Sequence, residues 1–421
     1  MSSLAERSSD GPLASSSTST TQSAPFFWNS ETTAAFPPAF RQFLEANDIH
    51  PDNYAISDVP RYVRVSPTHA TTLTQTELER QLGTAIEPVD WLPGYFCVPS
   101  HIKIAGCDAY RSGRLYGIDV SSGAAVAALD PQPGDNVLDL CCAPGAKLCA
   151  IADYMGPSGT LTGVDVSEER LAACRTLCLK YGVANARLLL QDGAQPVAPP
   201  PQRIDEFEAA CDDDAAGEEK DEEDAAADDG SPHNNHRRSV PHRARKRRRH
   251  EQHGAFFLGS DLDGAGAAAA SAAVVDESPA AAAGSYDRVL VDAECTHDGS
   301  IKHLAKFAQW GWDTFERRFL QPERLTDLAK LQMELLRSGY RVLKPGGTLV
   351  YSTCSFAKAQ NEEIVSALLA EAPAASLVPI AKLEGAPCKA GALPHTLRFE
   401  PRTSKTSGLF VACLTKSSSS T

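Results

Sequence analysis

Two cysteines stand where their thiols could act as nucleophiles. Cys295 comes three residues after Asp292, and Cys354 lies in the run STCS at residues 352–355. Carbon 5 of a pyrimidine accepts a methyl group only after a thiolate has added at carbon 6. A carboxyl group beside ring nitrogen 3 would stabilise the negative charge that develops. The alternative is that both residues are strand-end core cysteines, which is the commoner case for this residue type.

Three acidic residues each follow a short apolar run that predicts a strand. They are Asp165, Asp192 and Asp292. An acid in this place on a nucleotide-binding sheet accepts hydrogen bonds from ribose hydroxyls. One such acid would be read as a cap or a turn residue, whereas three at successive strand ends favour a nucleoside-like cofactor.

The turn DLCCAPGAK at residues 139–147 has the small side chains that a ligand-binding turn needs. Small residues let a ligand approach backbone amides at a helix N-terminus. The turn lacks the pattern G-x-G-x-x-G, and Pro144 excludes the usual dinucleotide turn. Of a dinucleotide and S-adenosylmethionine, the sequence therefore favours S-adenosylmethionine.

Strands and helices alternate along the part of the chain that must position these groups. The predicted strands are residues 136–140, 160–165, 187–190, 288–291, 348–352 and 409–412. Ser167 is a predicted helix N-cap, and a longer helix is predicted from about Pro322. Most of the strands are continuous apolar runs, which is typical of a parallel or mixed sheet covered on both faces. We predict a doubly wound, Rossmann-like α/β sheet, whose ligands bind outside the carboxyl ends of the strands.

The length and the net charge of the chain exclude fewer classes of function than the total values suggest. A chain of 421 residues has room for two or three units, and its net charge of −14 argues against a polyanionic partner. Residues 194–284, however, hold 19 acidic and 10 basic residues, which leaves 35 and 30 in the rest of the chain. The rest of the chain is therefore close to neutral, and nucleic acid remains a possible partner.

The segment 194–284 is predicted to be a disordered insertion, because its composition cannot bury enough apolar surface to fold. It contains an Asp/Glu/Ala run, a basic run at residues 236–250, Gly/Ala repeats and one apolar cluster, FFL at residues 256–258. The basic run is either a solvated counterpart of the acidic run or a patch for nuclear import or RNA contact.

Two protein classes are excluded. No apolar run approaches the roughly 18 residues that span a bilayer, so we expect an intracellular protein that contacts no membrane. Twelve cysteines without a C-x-x-C pair or a zinc-type spacing predict neither a disulfide scaffold nor a metal site.

Five runs occur in an order that resembles a known family. They are residues 139–147 (DLCCAPGAK), 163–165 (GVD), 191–193 (QDG), 291–296 (VDAECT) and 351–355 (YSTCS), with Asn361 and Glu362 shortly after the last. The order resembles that of the Sun-type (Fmu/RsmB-like, NOL/NOP/Sun) RNA cytosine-carbon-5 methyltransferases. The likeness covers roughly residues 55–416, apart from the insertion, and includes RYVRV at residues 61–65.

The resemblance implies a role for each candidate side chain. Cys354 would be the nucleophile that adds to carbon 6 of cytosine, and Cys295 would help to eliminate the methylated product. Asp292 would bond the ring near nitrogen 3, and Lys147 would brace that carboxylate and the substrate.

The resemblance also implies a binding site for S-adenosylmethionine. Asp165 would hold the ribose, Asp192 would lie at the adenine end, and Arg170 would lie beside the cofactor. The full set of implied cofactor residues is Cys141, Cys142, Ala143, Pro144, Gly145, Ala146, Lys147, Asp165, Arg170, Asp192 and Asp292.

The implied domain organisation has one catalytic unit and one smaller unit. It consists of a Ser/Thr-rich disordered tail (1–39), a small α+β RNA-binding module (40–110), a methyltransferase domain (111–193 and 285–416), the insertion (194–284) and a tail (417–421). The implied substrate is tRNA or rRNA whose target cytosine has left its stack. We expect a monomer in the nucleus or nucleolus, with cytoplasm and mitochondrion as alternatives.

This sequence departs from the family pattern at one place in particular. Glu294 stands where the family usually has proline, and the following residues 296–299 (THDG) are atypical. A second carboxylate near Asp292 could repel the RNA backbone or raise the pKa of a neighbour. Two other functions stay open. One is an inactive RNA-binding or ribosome-assembly factor with the same fold, and the other is a DNA cytosine methyltransferase, although the Pro-Cys pair of such enzymes is absent here.

Overall fold

The computed structural model describes residues 36–54, 60–201, 255–258, 283–310 and 312–418. The predicted basic run and most of the predicted N-terminal tail and insertion lie outside these residues. No helix in the described part of the chain is long and apolar enough to cross a membrane.

The N-terminal part folds around a four-stranded antiparallel sheet with the strand order β2-β3-β1-β4. The helix α1 (Pro38–Ala46) precedes this sheet and packs in a separate cluster with Phe307, Phe315 and Phe319. The strands of the sheet are β1 (Arg61–Val65), β2 (Glu87–Pro88), β3 (Tyr95–Val98) and β4 (Leu115–Gly117), and the helices that pack on it are α2 (Gln75–Leu82) and α3 (Asp108–Arg111). Val63, Val65 and Leu78 are buried in a core of its own. This sheet is the small α+β module that the sequence predicts.

The rest of the described chain builds one ten-stranded sheet, in which β12-β13-β14-β10-β9-β5-β6-β7-β8 are neighbours and β11 pairs with β14. Its strands are β5 (Asn136–Asp139), β6 (Thr160–Asp165), β7 (Ala186–Leu190), β8 (Ala255–Leu258), β9 (Tyr286–Asp292), β10 (Leu343–Thr353), β11 (Ala375–Leu377), β12 (Lys389–Ala390), β13 (Leu397–Phe399) and β14 (Leu409–Lys416). The strands β10, β9, β5, β6 and β7 are parallel, and β14 pairs with β10 antiparallel.

Helices cover both faces of the sheet. They are α4 (Val120–Leu129), α5 (Ala146–Met155), α6 (Glu168–Lys180), α7 (Ile301–Trp310), α8 (Trp312–Phe315), α9 (Pro322–Val342), α10 (Glu362–Glu371) and α11 (Pro401–Ser404). Successive strand residues point to opposite faces. Val137 accordingly packs in the core that contains α4, α5 and α6, and Leu138 packs in the core that contains α9 and α10. The doubly wound α/β fold is confirmed.

Two local predictions are confirmed at the residues that carry them. The Ser167 side chain accepts the N–H of Arg170 and caps α6. The helix α9 begins at Pro322, whose fixed φ and missing N–H suit the first helical position.

The predicted insertion differs from the structure at two segments. Residues 194–201 continue the fold: Val197 is buried, and the carbonyls of Ala198 and Pro199 accept bonds from Tyr286 and Arg187. Inside the insertion, the apolar cluster at residues 256–258 belongs to β8, which pairs antiparallel with β7. A strand edge offers backbone groups that a short apolar segment can pair with, whatever the composition around that segment.

A buried carboxylate on α5 joins the two parts of the molecule. Asp153 accepts bonds from Arg64 Nε at 2.9 Å, Ser66 Oγ at 3.0 Å and Tyr116 Oη at 2.8 Å. The Arg64 guanidinium also lies over the rings of Tyr95 and Tyr154. The N-terminal sheet is thereby attached to the helix that carries Lys147.

Candidate active site

The chemically active side chains lie along one edge of the sheet. Asp292 ends β9, Asp139 ends β5 and Asp165 ends β6, while Cys354 follows directly after β10. These four strands are consecutive neighbours and parallel, so their carboxyl ends meet at the same edge. Ser352 stands opposite Asp292 in the β10–β9 register, which brings the region of Cys354 beside that carboxylate.

The two predicted catalytic cysteines meet. The Sγ atoms of Cys295 and Cys354 are 3.4 Å apart, although 59 residues separate them in the chain. Nδ1 of His297 lies 3.1 Å from the sulfur of Cys354 and 3.7 Å from that of Cys295. Cys295 is buried, whereas Cys354 is only partly so.

The two thiols are held in opposite protonation states. The hydrogen bond from Cys295, together with the charge and bond of His297, lowers the pKa of Cys354 to about 6, although burial opposes this change. Burial and the adjacent Cys354 raise the pKa of Cys295 well above its usual range. At neutral pH Cys354 is therefore the thiolate and Cys295 the thiol, which makes Cys354 the better nucleophile.

Lys147 and Asp292 form the predicted pair. Lys147 Nζ lies 2.7 Å from one Asp292 oxygen, and Ser352 Oγ donates to the other oxygen at 2.6 Å. Burial would lower the pKa of Lys147, but the charge and hydrogen bond of Asp292, together with the charges of Asp139 and Cys354, outweigh burial and raise it. Lys147 is therefore a permanent cation that holds the Asp292 carboxylate in place.

Asp139 is a site residue that the sequence reasoning passed over. It is 1% exposed, and one of its oxygens has no hydrogen-bond partner within the described chain. Burial and the nearby Asp292 raise the pKa of Asp139 to about 7. Asp139 ends the strand β5, just as the three predicted acids stand at the ends of strands. This position could have identified Asp139 as a site residue from the sequence.

The acid predicted to hold a ribose lies beside the turn that follows β5. Asp165 is 4% exposed and accepts the N–H groups of Ser167 at 2.9 Å and Ala143 at 3.3 Å. Arg170 donates to the Ala143 carbonyl at 2.5 Å and lies 3.6 Å from Asp165. These contacts bring Asp165, Arg170 and Ala143 together, as predicted.

The turn itself differs from the prediction in one respect. Its first three amides donate to acceptors in the protein: that of Cys141 to Asp139, that of Cys142 to Val164 and that of Ala143 to Asp165. The Cys142 thiol is buried in the core beside Cys174. These amides are engaged because the turn binds back to the strand ends, so a ligand meets the later part of the turn, from Pro144 onwards.

Two glycines allow the chain to pack closely next to that turn. A side chain at Gly145, where φ is +110°, would come within 2.9 Å of Cys174 Sγ, and one at Gly163 would come within 2.9 Å of Cys142 Sγ. Gly145 precedes α5 and offers no side chain to cap it. The first-turn amides of α5, at Ala146 and Lys147, therefore face the strand-end edge without an intrahelical acceptor.

Asp192 follows β7 and is exposed, with its carboxylate accepting the N–H of Ala194 at 3.0 Å. Gln191 donates its N–H to the Asp165 carbonyl at 3.1 Å, which places Asp192 just past the next strand end after that of Asp165. Among the described residues, the carboxylates of Asp192 and Asp165 make no contact with each other. They lie at different positions along the same edge of the sheet.

Asn361 holds the segment that carries Cys354. Its Oδ1 accepts the Thr353 hydroxyl at 2.6 Å, and its Nδ2 donates to the Ser355 carbonyl at 2.8 Å. Asn361 is fully buried. The neighbours of Cys354 on both sides are therefore tied to one side chain, which fixes the position of the thiol between them.

Glu294, the departure from the family pattern, is paired. Its carboxylate contacts Arg324 in the first turn of α9, and both side chains are partly exposed. The positive charge of Arg324 offsets the repulsion that the sequence predicted for this carboxylate. Glu294 also contributes to raising the pKa of His297.

The sequence has no zinc-type spacing, yet the fold brings three possible ligand atoms within 4.8 Å of one another, on Cys295, His297 and Cys354. A zinc ion on both sulfurs would need two thiolates. Among the described residues no fourth His, Cys, Asp or Glu completes the set, whereas structural zinc sites are four-coordinate. With one thiol and one thiolate, the three groups have the chemistry of an acid–base cluster.

Comparison with known proteins agrees with this geometry. The model of the family described as "16S rRNA methyltransferase RsmB/F" matches residues 126–208 and 262–415. The match covers more than half of the chain and includes the strand ends described above.

Three relatives show how far the likeness extends. Ribosomal RNA small subunit methyltransferase F of Klebsiella pneumoniae is 25% identical over 92% of this chain and 65% of its own length. Ribosomal RNA small subunit methyltransferase B of Salmonella arizonae is 24% identical over 82% of this chain and 57% of its own length. The tRNA (cytosine(49)-C(5))-methyltransferase of Pyrococcus abyssi is 23% identical over 79% of this chain and 80% of its own length. The chain thus spans less than two thirds of the first two relatives.

Two solved structures from Pyrococcus horikoshii share the fold. A methyltransferase homologue has a TM-score of 0.54 and 23% identity, and the match covers 87% of this chain and 89% of the other. NSun6, solved with SFG, has a TM-score of 0.58 and 14% identity, and the match covers 91% of this chain and 99% of the other.

Proposed function

The chain belongs to the 16S rRNA methyltransferase RsmB/F family, and from that premise we propose that it methylates carbon 5 of a cytosine in rRNA or tRNA. One observation carries the proposal. The thiol of Cys354, with its pKa lowered to about 6, lies at the strand end next to the Lys147–Asp292 pair. A nucleophile and a held carboxylate are the two groups that activation of a cytosine ring needs.

S-adenosylmethionine is the methyl donor in this proposal, and the residues present fit it. Asp165 offers a carboxylate to a ribose diol. The first-turn amides of α5, at Ala146 and Lys147, have no intrahelical acceptor and can bind a polar ligand atom. The likeness to a structure solved with SFG, an analogue of S-adenosylmethionine, supports the same cofactor. When bound, S-adenosylmethionine supplies an electrophilic methyl group.

The proposed chemistry divides between the two cysteines. Cys354 forms a bond to carbon 6 of cytosine. Asp292, held by Lys147 and Ser352, donates a hydrogen bond at ring nitrogen 3 once it carries a proton, and the Lys147 cation beside it stabilises the negative charge that develops there. Cys295 keeps its proton and can donate a hydrogen bond to the Cys354 sulfur. When the proton on carbon 5 is lost to water, its electron pair restores the carbon 5–carbon 6 double bond and the carbon–sulfur bond breaks. The hydrogen bond from Cys295 stabilises the Cys354 thiolate that leaves.

The RNA is proposed to approach where the N-terminal sheet meets α5 and α6. A cavity of about 340 Å³ opens there. Its lining includes two cations, three tyrosines and the first residue of α5: Arg61, Lys103, Tyr110, Tyr116, Tyr181 and Ala146. Cations and aromatic rings suit a phosphate backbone and unstacked bases, and a base must leave its stack to reach a thiol in such a site.

Two single variants test the proposal. With S-adenosylmethionine and total RNA as substrate, the Cys354→Ala variant should give no turnover in bisulfite sequencing. The Cys295→Ala variant should accumulate a covalent RNA adduct that survives a denaturing gel. Cys388→Ala, which removes a half-buried thiol on the segment before β12, should behave as the parent protein.

The alternative function gives a different result. If the parent protein binds RNA but shows no heat of binding with S-adenosylmethionine and forms no adduct, the chain is an inactive RNA-binding factor of the same fold. Methylation of duplex DNA but not of RNA would make it a DNA enzyme. A nuclear or nucleolar location is proposed from the basic run at residues 236–250, and imaging a fusion protein with and without that run tests it.

A further inference from the structure

His297 lies within reach of the nucleophilic sulfur, and the function proposed above gives it no role. Its Nδ1 is 3.1 Å from Cys354 Sγ, which is hydrogen-bond distance for a sulfur. The other basic side chain near this thiol, Lys147, is engaged with Asp292 at 2.7 Å. His297 is therefore placed to exchange a proton with Cys354.

The backbone holds His297 in a conformation that is uncommon for a residue with a Cβ atom. Its φ is +55°, in the left-handed region that a residue with a side chain seldom occupies. Such a conformation persists where the surrounding structure fixes it, and these conformations cluster at functional sites.

The contacts that fix it also bind the two segments of the site together. Gly299 donates its N–H to the Cys354 carbonyl at 2.9 Å, and Phe356 donates its N–H to the buried Asp298 carboxylate at 2.8 Å. A side chain at Gly299 would come within 2.5 Å of the Cys354 carbonyl oxygen. The imidazole and the thiol are thus set against each other by contacts on both sides of His297.

The ring of His297 is also packed in place. The ring of His303 on α7 lies 5.1 Å away between centroids, and the edge of Phe319 lies 5.7 Å away. These neighbours limit rotation of the imidazole and keep Nδ1 directed at the sulfur.

We propose that His297 is the base that takes the proton of the Cys354 thiol. The S–H bond of Cys354 breaks, an N–H bond forms at Nδ1 of His297, and the electron pair left on sulfur becomes the nucleophile. The step is a single proton transfer between two groups of the chain and needs no other reactant. The role of this proton transfer in turnover rests on the proposed methyl transfer. The proton transfer itself can occur without methyl transfer.

Several titratable and charged groups surround this pair. Those on the loop of His297 are Glu294, Cys295 and Asp298, the one on α7 is His303, and those facing Cys354 are Asp292 and Lys147. Burial would lower the pKa of His297, but the charge and hydrogen bond of Cys354, together with the charges of Glu294 and Asp298, outweigh burial and raise it. The ion pair therefore exists from about pH 6, where Cys354 loses its proton, up to the raised pKa of His297.

Alkylation of Cys354 by iodoacetamide tests the proton transfer without RNA or cofactor. The rate at Cys354, followed by peptide mass spectrometry from pH 5 to pH 9 with EDTA present, reports the thiolate fraction. In the parent protein the rate should be half-maximal near pH 6. In His297→Gln the midpoint should rise by about one pH unit or more, so that the rate at pH 5.5 falls roughly eightfold or more. His101→Gln, which changes an exposed histidine of the N-terminal part, should keep the parent profile.

An unchanged profile in His297→Gln would overturn the proposal, because Cys295 alone would then account for the acidity of Cys354. Circular dichroism checks that the variant is folded, and His297→Asn replaces it if it is not. The two proposals fail separately. Methylation by the parent protein with an unshifted alkylation profile rejects only the role of His297, whereas a shifted profile without methylation rejects only the methyl transfer.

Discussion

At the scale of single residues, the site holds two carboxylates whose surroundings differ. Asp292 has a cation at 2.7 Å and a hydroxyl at 2.6 Å. Asp139 has neither, and its only recorded hydrogen bond within the described chain is the Cys141 amide at 3.3 Å. The same residue type is therefore a held anion in one place and a group that retains its proton to near neutral pH in the other.

The Asp139→Asn variant should be stabilised at high pH. The pKa of Asp139 is raised from 3.8 to about 7 in the folded protein. From about pH 4 to pH 7 the folded state therefore keeps a proton that the unfolded state has lost, and stability falls as the pH rises. Asparagine carries no charge, so the variant should gain on the order of 2 kcal/mol at pH 8 relative to pH 5. Thermal unfolding at both pH values checks this, and equal shifts at both would contradict it.

The Lys147→Met variant should lose activity through kcat rather than through binding of the RNA. Without the Lys147 cation, the Asp292 carboxylate is no longer held against the position of the substrate ring. A loss of roughly 10²–10³-fold in kcat is expected for such a group. Lys344→Met, which breaks a lysine–aspartate pair of the same length with Asp287, is the matched control and should keep the parent kcat. A change confined to KM would show that Lys147 acts only in binding.

At the scale of secondary-structure elements, the nucleophile is placed by the junction between β10 and α10. Cys354 follows β10, and Asn361 precedes α10 and binds both neighbours of Cys354. Arg398 of β13 adds a further tie, since it pairs with Glu362 in the first turn of α10 and donates to the Phe356 carbonyl at 2.9 Å. The position of the thiol therefore depends on three elements.

The Asn361→Ala variant should reduce methylation while leaving the thiol titratable. Losing both bonds frees the segment at residues 353–355, and a displacement of about 1 Å can lower a rate roughly 10²-fold. Single-turnover methylation and iodoacetamide alkylation of Cys354 measure the two properties separately. Thr326→Ala, which removes an exposed hydroxyl bond on α9, should change neither. Parent-like single-turnover rates in Asn361→Ala would show that the strand alone positions Cys354.

At the scale of the whole molecule, a largely buried ion pair ties the N-terminal sheet to helix α5, beside a shared apolar core that contains Tyr62 and Tyr95. The Arg64 side chain is 4% exposed and that of Asp153 is 14% exposed. The hydroxyls of Ser66 and Tyr116 also donate hydrogen bonds to the Asp153 carboxylate. Asp153 lies on helix α5, whose second residue is Lys147. The proposed RNA-contacting module and the catalytic lysine are therefore joined through one helix.

The Asp153→Ala variant should weaken this attachment. It leaves the Arg64 charge buried and unpaired, which costs about 3–5 kcal/mol. The denaturation midpoint should fall, and protease sensitivity in the N-terminal sheet should rise before that of the catalytic sheet. Glu77→Ala, which removes an exposed pair with Arg80, should change neither measurement. Uniform destabilisation of both sheets in Asp153→Ala would show that the two parts unfold as one.

The sequence by itself determined the alternation of strands and helices and the residues at the strand ends. Continuous apolar runs can be buried only in a sheet covered on both faces, and parallel strands end at one edge. That reasoning placed Asp165, Asp292 and Cys354 at the same edge before any contact was known. It also found the Ser167 cap, because capping depends only on local residue type.

Only the tertiary structure decided which of these groups touch and in which protonation state. The contact of His297 with Cys354 spans 57 residues and needs a left-handed residue in the loop after β9. No periodicity encodes such a loop. The burial that raises the pKa of Asp139, the engaged amides of Cys142 and Ala143, and the pairing of β8 with β7 likewise depend on neighbours far along the chain. The sequence pattern indicates local structure. The pKa values and the contacts of the site residues follow from the packing of segments that are distant in the chain.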